Sequence, residues 1–400
     1  MPVLEMRNEN EIESLAASIA RIAPEMIELR HYLHQNPELS FEEKNTAAFV
    51  AEKLSAMDVD SLRTNIGGHG VIAEIHGATG GPMFALRADM DALPIHELND
   101  GLPYKSRVPG VMHACGHDGH TAVLLGAARF FTENRGQIRG TVRLIFQPAE
   151  EVAGGAVRMC NEGAMDGVAA IAALHGWPGM AVGQIGVRPG PMMASSDNFD
   201  LTIRGKGAHA AMPHISVDPI IPAAQIILAL QTIASLEINP ADPVVVTVGQ
   251  IHAGTAYNII PDEAVIRGTV RCLTNELRQT MAARIERIAA GIAEAHRASS
   301  TLNYHYSTAV TYNDAGMNAL VAETGAEVLG AANVIDLPHP SMGAEDFAAY
   351  GDYAPAAMFR LGVGENVTAL HTPTYNFADE SIAHGISLFT AVALKYLSRN

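Results

Sequence analysis

Between Met112 and His120 the chain reads Met-His-Ala-Cys-Gly-His-Asp-Gly-His, which gathers three imidazoles, one thiol and one carboxylate into nine residues. Packing gives no reason for such a collection in a loop, whereas a metal ion does. Cys115 and His117 flank Gly116, which lets the backbone turn tightly. Thiolate and neutral imidazole are the ligands that Zn²⁺ and its neighbours prefer. The run Thr121–Phe130 predicts a helix, so the cluster stands at a helix N-terminus, where the dipole favours a thiolate.

Three more stretches share one pattern, a short apolar run followed at once by polar residues. Met83–Leu86 precedes Asp89 and Asp91, Thr141–Phe146 precedes Glu150 and Glu151, and Ala169–Leu174 precedes His175 and Trp177. The apolar runs read as buried strands, and helical segments at 121–130 and 156–161 alternate with them. That alternation predicts an α/β fold with a mixed sheet between helical layers. Ligands in such sheets bind beyond the carboxyl ends of the strands, so these carboxylates and His175 are expected on one rim. An amphipathic helix is expected from Ile12 to Leu33 and a second over 42–57.

The texture changes after Gly190. A strand at 199–203, an apolar helix at 219–236, strands at 244–248 and 264–270, a helix at 275–297 and a strand near 304–311 follow in turn. The order β-α-β-β-α-β reads as a split βαβ, ferredoxin-like α+β domain over 194–305, inserted into a catalytic domain made of 1–193 and 306–400. The chain then returns with a strand at 356–361, a loop carrying His371 and a final helix.

The 400 residues carry a net charge of −17 without a basic cluster, which argues against nucleic acid or an anionic membrane as partner. No run of uninterrupted apolar residues reaches the roughly 18 of a spanning helix. Three scattered cysteines make no disulfide framework, and the N-terminal segment has no apolar leader, so a reducing cytoplasm is the expected location.

Taken in order, Asp-Met-Asp-Ala-Leu-Pro (89–94), His-Ala-Cys-Gly-His-Asp (113–118), Gln-Pro-Ala-Glu-Glu (147–151), Leu-His-Gly (174–176), Gly-Ala-His-Ala-Ala-Met-Pro-His (207–214), Asn-Ile-Ile-Pro (258–261), Gly-Ala-Glu-Asp-Phe (343–347) and His-Thr-Pro (371–373) resemble the aminoacylase/carboxypeptidase superfamily of dinuclear metallohydrolases. The nearest branch is that of hippurate hydrolases, N-acyl-amino-acid amidohydrolases and auxin-conjugate hydrolases. The resemblance implies metal ligands at Cys115, His117, Glu151, His175 and His371, and a catalytic carboxylate at Glu150. It implies that His209, on the inserted lid domain, reaches a partner subunit's site, and that Asn258 and Arg271 hold the substrate's carboxylate end. Asp89 stands where many relatives have a metal-binding histidine, and Cys115 where they have a bridging aspartate.

Five such ligands exceed a structural zinc site and suit two divalent ions, Zn or Mn first, with Co or Ni as alternatives. Two metals can activate a shared water and polarise an amide carbonyl. Adjacent residues point different ways after Pro148, so Glu151 is assigned to metal and Glu150 to proton transfer. Asp91 is expected to orient a ligand, His113 and His120 either support the cluster or cap the helix, and Arg271 is alternatively a surface ion pair. The expected reaction is hydrolysis of the amide bond of an N-acyl amino acid, by a homodimer joined through the insert. A metallo-dipeptidase or carboxypeptidase is the alternative.

Overall fold

The stripe Leu15, Ile19, Ile22, Met26 and Leu33 is buried along one face of a long helix, α1 (Glu9–Gln35), in the computed structural model of the chain, which describes residues 9–399. The segment read as lacking a leader lies outside the described residues, as does the side chain of Ile12. The chain continues through α2 (Lys44–Ala56), β1 (Ser61–Ile66), β2 (Gly70–His76), β3 (Thr79–Asp89), α3 (His117–Glu133), β4 (Arg139–Gln147), α4 (Gly155–Asn161), β5 (Val168–Trp177), β6 (Ile185–Val187) and β7 (Gly190–Met193). Then come β8 (Ser196–Arg204), β9 (Ala208–His209), α5 (Ile220–Thr232), β10 (Val244–Ala253), β11 (Ile259–Ile260), β12 (Glu263–Cys272), α6 (Asn275–Ala295) and β13 (Ser299–Thr308). The last elements are β14 (Thr311–Asn313), α7 (Ala315–Leu329), β15 (Val334–Asp336), β16 (Ala356–Gly362) and α8 (Glu380–Arg399).

Two compact units result. Of the described residues, one holds 9–192, 312–339 and 346–399; the other holds 193–311 and 340–345. The first unit is built on an eight-stranded mixed sheet of order β1-β2-β4-β3-β5-β16-β6-β15. Strands β4, β3, β5 and β16 run parallel to one another. Side chains alternate along these strands, and the two faces differ sharply. One row contains Phe84, Leu86, Phe146, Ala172, Leu174 and Phe359, buried in a single core with residues of α1, α3 and α8. The alternate row, by the same register, holds Arg87, Asp89, Gln147, His175 and Arg360. Polar chemistry is thus concentrated on one face and at the carboxyl ends of the central strands.

The second unit is a four-stranded antiparallel sheet of order β10-β12-β8-β13. Helices α5 and α6 cover it, with Phe199, Leu201 and Ile266 against Ile226, Leu230, Met281 and Ile285. In chain order this is the β-α-β-β-α-β arrangement expected, with β13 running on to Thr308. The stretch Ile220–Glu237 is, over 18 residues, apolar and long enough to cross a membrane by composition. Gln225, Gln231, Thr232, Ser235 and Glu237 interrupt it, so it is not an unbroken apolar run. Here Pro222, Ala223, Ile226 and Leu230 are buried in the unit's core.

Helix α7 was not anticipated. Its start is marked by Asp314, whose Oδ1 accepts the Met317 N–H at 2.9 Å. Helices α1 and α3 are locked by buried charge. Arg30 Nε donates to Asp118 Oδ2 at 2.9 Å, and His34 Nδ1 meets the same oxygen at 2.9 Å. Burial pushes the Asp118 carboxyl up, but Arg30 and His34 outweigh it and hold the group far below the usual carboxylate range. Asp118→Asn removes the counter-charge of two buried groups and is expected to cost about 3–5 kcal/mol. Urea denaturation would measure this; a loss below about 1 kcal/mol would show that the pair does not lock the helices.

Candidate metal centre

Gly116 makes the site's first turn. Its φ is +87°, and a Cβ there would meet the Tyr375 hydroxyl at 2.7 Å, so only glycine fits. The turn presents Cys115 on one side and delivers His117 as the first residue of α3. Glu150 and Glu151 follow β4, His175 lies near the end of β5, and His371 sits on the loop after β16. His371 has a left-handed backbone (φ +61°), and its N–H donates to Ala114 O at 2.9 Å, which draws it to the Cys115 turn.

These residues converge. Cys115, His117 and His175 place one donor atom each within 4.8 Å of one another, and so do Cys115, Glu151 and His371. Cys115 belongs to both sets. His117, Glu150 and Glu151 form a third set. Cys115 Sγ lies 3.4 Å from His175 Nε2, and His371 Nε2 lies 3.5 Å from Glu151 Oε2. His117 Nε2 lies 3.9 Å from Glu151 Oε1 and 4.0 Å from Glu150 Oε2. The side chains of Glu150 and Glu151 are only 10% and 9% exposed.

The other ring nitrogens decide which face of each imidazole is available. His117 Nδ1 donates to Asp91 O at 2.9 Å, and His175 Nδ1 donates to Gly176 O at 2.8 Å. Both Nε2 atoms are then lone pairs turned into the cluster. His120 is different. Its Nδ1 is bonded to Asp89 Oδ1 at 2.7 Å, and its Nε2 accepts the Gly176 N–H at 2.8 Å. Both nitrogens are used, so His120 supports the strand bearing His175 and is no ligand, although it stands near Asp89 and His117. Asp89 is also bound by Arg87 Nη1 at 2.6 Å.

The donor set fits divalent cations. Among the described residues, His117 Nε2 and Glu151 Oε1 are buried without a hydrogen-bond partner. Orphaned atoms of this kind call for an explanation, and divalent cations in the cluster provide one. Burial lowers the His117 pKa, but Asp89, Asp91 and Glu151 outweigh it and raise it to about 10. In the absence of metal, a proton thus takes the place of a cation. Burial together with Glu151, Glu150 and Asp89 holds the Cys115 thiol far above its usual range, so a nearby cation is needed to make it a thiolate.

Asp91 and Glu43 form the support beneath. Asp91 Oδ1 and Oδ2 each accept a backbone N–H, from Glu150 and Glu151, at 3.0 Å. Glu43, which drew no attention in the sequence, is fully buried. Its Oε1 accepts the N–H of Ala149 at 2.7 Å and of Phe41 at 2.9 Å. Both donors are left-handed non-glycine residues, at φ +54° and +64°. One carboxylate oxygen therefore pins two strained turns, one of which aims the glutamate pair. The only sequence signal was two adjacent acids, Glu42 and Glu43, ahead of a helix.

The remaining expected residues lie in the second unit. His209 pairs with Ile259 across β9 and β11, and Asn258 O accepts the Ala210 N–H at 3.0 Å, so His209 and Asn258 are neighbours. His209 is exposed, and its Nδ1 accepts the Ala211 N–H at 3.1 Å, which leaves the proton on Nε2. Arg271 is half-buried near the far end of β12 and donates to Val270 O at 3.1 Å. A strand rise of about 3.3 Å per residue puts it roughly 25 Å from the Glu263 end, which adjoins β11. Within one chain it is not brought to His209 and Asn258.

Residues 85–395 match Peptidase family M20/M25/M40, and the chain belongs to that family. It is 40% identical to the N-acetyl-L-cysteine deacetylase of Bacillus subtilis (strain 168), covering 97% of this chain and 92% of that protein. It is 38% identical to the hippurate hydrolase of Campylobacter jejuni over 96% of this chain and 100% of that one. Among solved structures, a dinuclear metal binding peptidase of the M20 family from Bacillus subtilis superimposes with a TM-score of 0.85 at 36% identity, covering 95% and 100% of the two chains.

Burial raises the Glu43 carboxyl to about 7, with the charge of Asp91 adding to it. The native state therefore holds a proton between about pH 4.5 and 7 that the unfolded chain releases, and stability falls as pH rises through that window. In metal-free protein, Glu43→Gln should gain stability over wild type as pH goes from 5 to 8, by about 2–3 kcal/mol. Glu43→Leu should lose about 2–4 kcal/mol at pH 5, since two buried N–H groups lose their acceptor. Urea midpoints at both pH values check this; parallel curves for wild type and Gln would contradict it.

Proposed function

We propose that this chain is a metal-dependent amidohydrolase that cleaves N-acyl amino acids to a carboxylic acid and a free amino acid. The observation that carries this is the two donor sets sharing Cys115, with Glu150 beside them. Cys115, His117 and His175 would hold one divalent ion, and Cys115, Glu151 and His371 the other. A thiolate among imidazoles favours zinc, and the carboxylate side admits manganese. When bound, such ions supply Lewis acidity to the acyl carbonyl and acidity to an attacking water.

The chain's own groups do the rest. Glu150 Oε2 is held at the cluster's edge by the Asp91 bond to its backbone. From there it takes the water's proton and delivers it to the leaving amine nitrogen as the C–N bond breaks. His209, whose Nδ1 already accepts the Ala211 N–H, offers Nε2 as donor to the oxyanion that develops on the carbonyl oxygen. The kinship with the deacetylase and the hippurate hydrolase named above supports an acyl amino acid rather than a peptide as substrate.

His209 and Asn258 lie on an exposed ribbon well away from Arg271, which favours a homodimer in which a second copy supplies the first two. The second unit offers the surface for it. Strand β10 is an edge ten residues long. Leu228 and Leu236 are 74% and 80% exposed, and Ile221 and Ile251 are exposed as well. An open edge and an apolar helix face are what a pairing copy covers. We place the enzyme in the cytoplasm, since its three cysteines are free and buried.

Glu150→Gln should retain bound metal by elemental analysis while kcat on N-acetyl and N-benzoyl amino acids falls about 10²–10⁴-fold. Chelator should abolish wild-type turnover and added metal restore it. Metal-replete Glu150→Gln with wild-type kcat, or chelator-insensitive turnover, would refute the assignment. A monomeric mass by light scattering with full activity would refute the dimer.

A further inference from the structure

Arg360 is a half-buried cation that nothing in the described chain neutralises. It lies on β16, directly across from His175 on parallel β5. Registered neighbours on adjacent strands project from the same face, so Arg360 and His175 stand side by side. The guanidinium lies 3.7 Å over the Trp177 ring, and Trp177 in turn packs edge-on against His175 at 5.7 Å. Arg360 Cζ is therefore within about 10 Å of the His175 ring, a distance set by those two ring contacts.

The chemistry around Arg360 is one-sided. Its Nε is buried with no hydrogen-bond partner among the described residues. Burial alone lowers its pKa, to about 10, and no carboxylate raises it back. The fully buried guanidinia of this unit are satisfied: Arg30 by Asp118 and Asp379, Arg87 by Asp89 and Gln147, Arg143 by Glu74 and backbone carbonyls. In a chain of net charge −17, carboxylates are abundant, yet none is placed here. A desolvated fork with an aromatic base is a receptor for a planar anion.

We infer that Arg360, braced by Trp177, is a specificity residue that takes a second carboxylate on the substrate, so that the preferred N-acyl amino acids are acidic ones. This rests on the amidohydrolase reading above. The carboxylate has two sources, the far end of a dicarboxylic acyl group or the side chain of an acidic amino acid. Either lies a few bonds from the scissile amide, in keeping with the reach from His175.

Three substrates separate the cases: N-succinyl-L-leucine, N-acetyl-L-glutamate and N-acetyl-L-leucine. For Arg360→Gln, kcat/KM on one of the acidic substrates should fall at least tenfold relative to the value on N-acetyl-L-leucine. The loss should sit in KM, as expected when a charge-assisted bond to a non-reacting group is removed. The substrate that loses identifies the end that Arg360 reads. Arg360→Lys, which keeps the charge but not the fork, should recover only part of it.

Trp177 is the chain's only tryptophan, so its fluorescence gives a readout independent of turnover. Glutarate should change that fluorescence saturably in wild type and not in Arg360→Gln. Unaltered discrimination among the three substrates in Arg360→Gln, with no saturable glutarate signal in wild type, would overturn the inference. Failure of wild type to hydrolyse any of the three would count against the amidohydrolase reading instead, and the glutarate titration would still decide whether Arg360 binds a carboxylate.

Discussion

The structure is organised around a concentration of buried negative charge that has to be neutralised. Asp89, Asp91, Glu150 and Glu151 converge with the Cys115 thiol at the ends of parallel strands, in a region nearly closed to water. Like charges at such spacing repel strongly where the dielectric is low. Part of the charge is met by the protein: Arg87 and His120 take Asp89, and backbone N–H groups take Asp91. The remainder, facing His117 Nε2 and Glu151 Oε1, is left for cations. A site of this kind is costly to the fold in the metal-free state and becomes favourable on loading, so metal binding and stability are one equilibrium.

What makes the cost tolerable is a second layer that leaves the donors little freedom. His117 and His175 have their outer nitrogens committed, to Asp91 O and Gly176 O, so that the inner lone pair points one way. The corner that aims the glutamates carries left-handed residues at Ala149 and Ala153, and Glu43 and Asp91 hold it by main-chain bonds. Behind this, α1 is tied to the first turn of α3 through Arg30, His34 and Asp118, so that the helix delivering His117 is anchored from both sides. A thiol shared by two donor sets needs that rigidity, because a small displacement of Cys115 would disturb both.

Much of this was legible in the sequence because the chemistry was local. Cys115 and His117 share one tight turn, and Glu150, Glu151 and His175 each follow a buried apolar run whose end predicts the rim. The insert was legible because its helices and strands keep clean periods. Other features depend on long-range contacts and left little trace. Glu43 acts on Ala149 across more than a hundred residues and is an ordinary acid by its neighbours. His371 is brought in by a left-handed turn that a histidine rarely adopts, and only family resemblance pointed to it. Helix α7 is small-residue rich, with a weak stripe, and its Asp314 cap was the one usable mark. That His120 is support rather than ligand depended on two bonds to distant groups, Asp89 and the Gly176 N–H.

The proposed function turns on Cys115 serving both donor sets. The most direct measurement is anomalous diffraction from crystals grown with the metal that purifies with the protein. The account predicts two anomalous peaks per chain, both within bonding distance of the Cys115 sulfur, about 2.3 Å for zinc. One peak near His371 and Glu151, the other near His117 and His175, would complete the picture. A single peak, or two peaks of which only one touches Cys115, would contradict it.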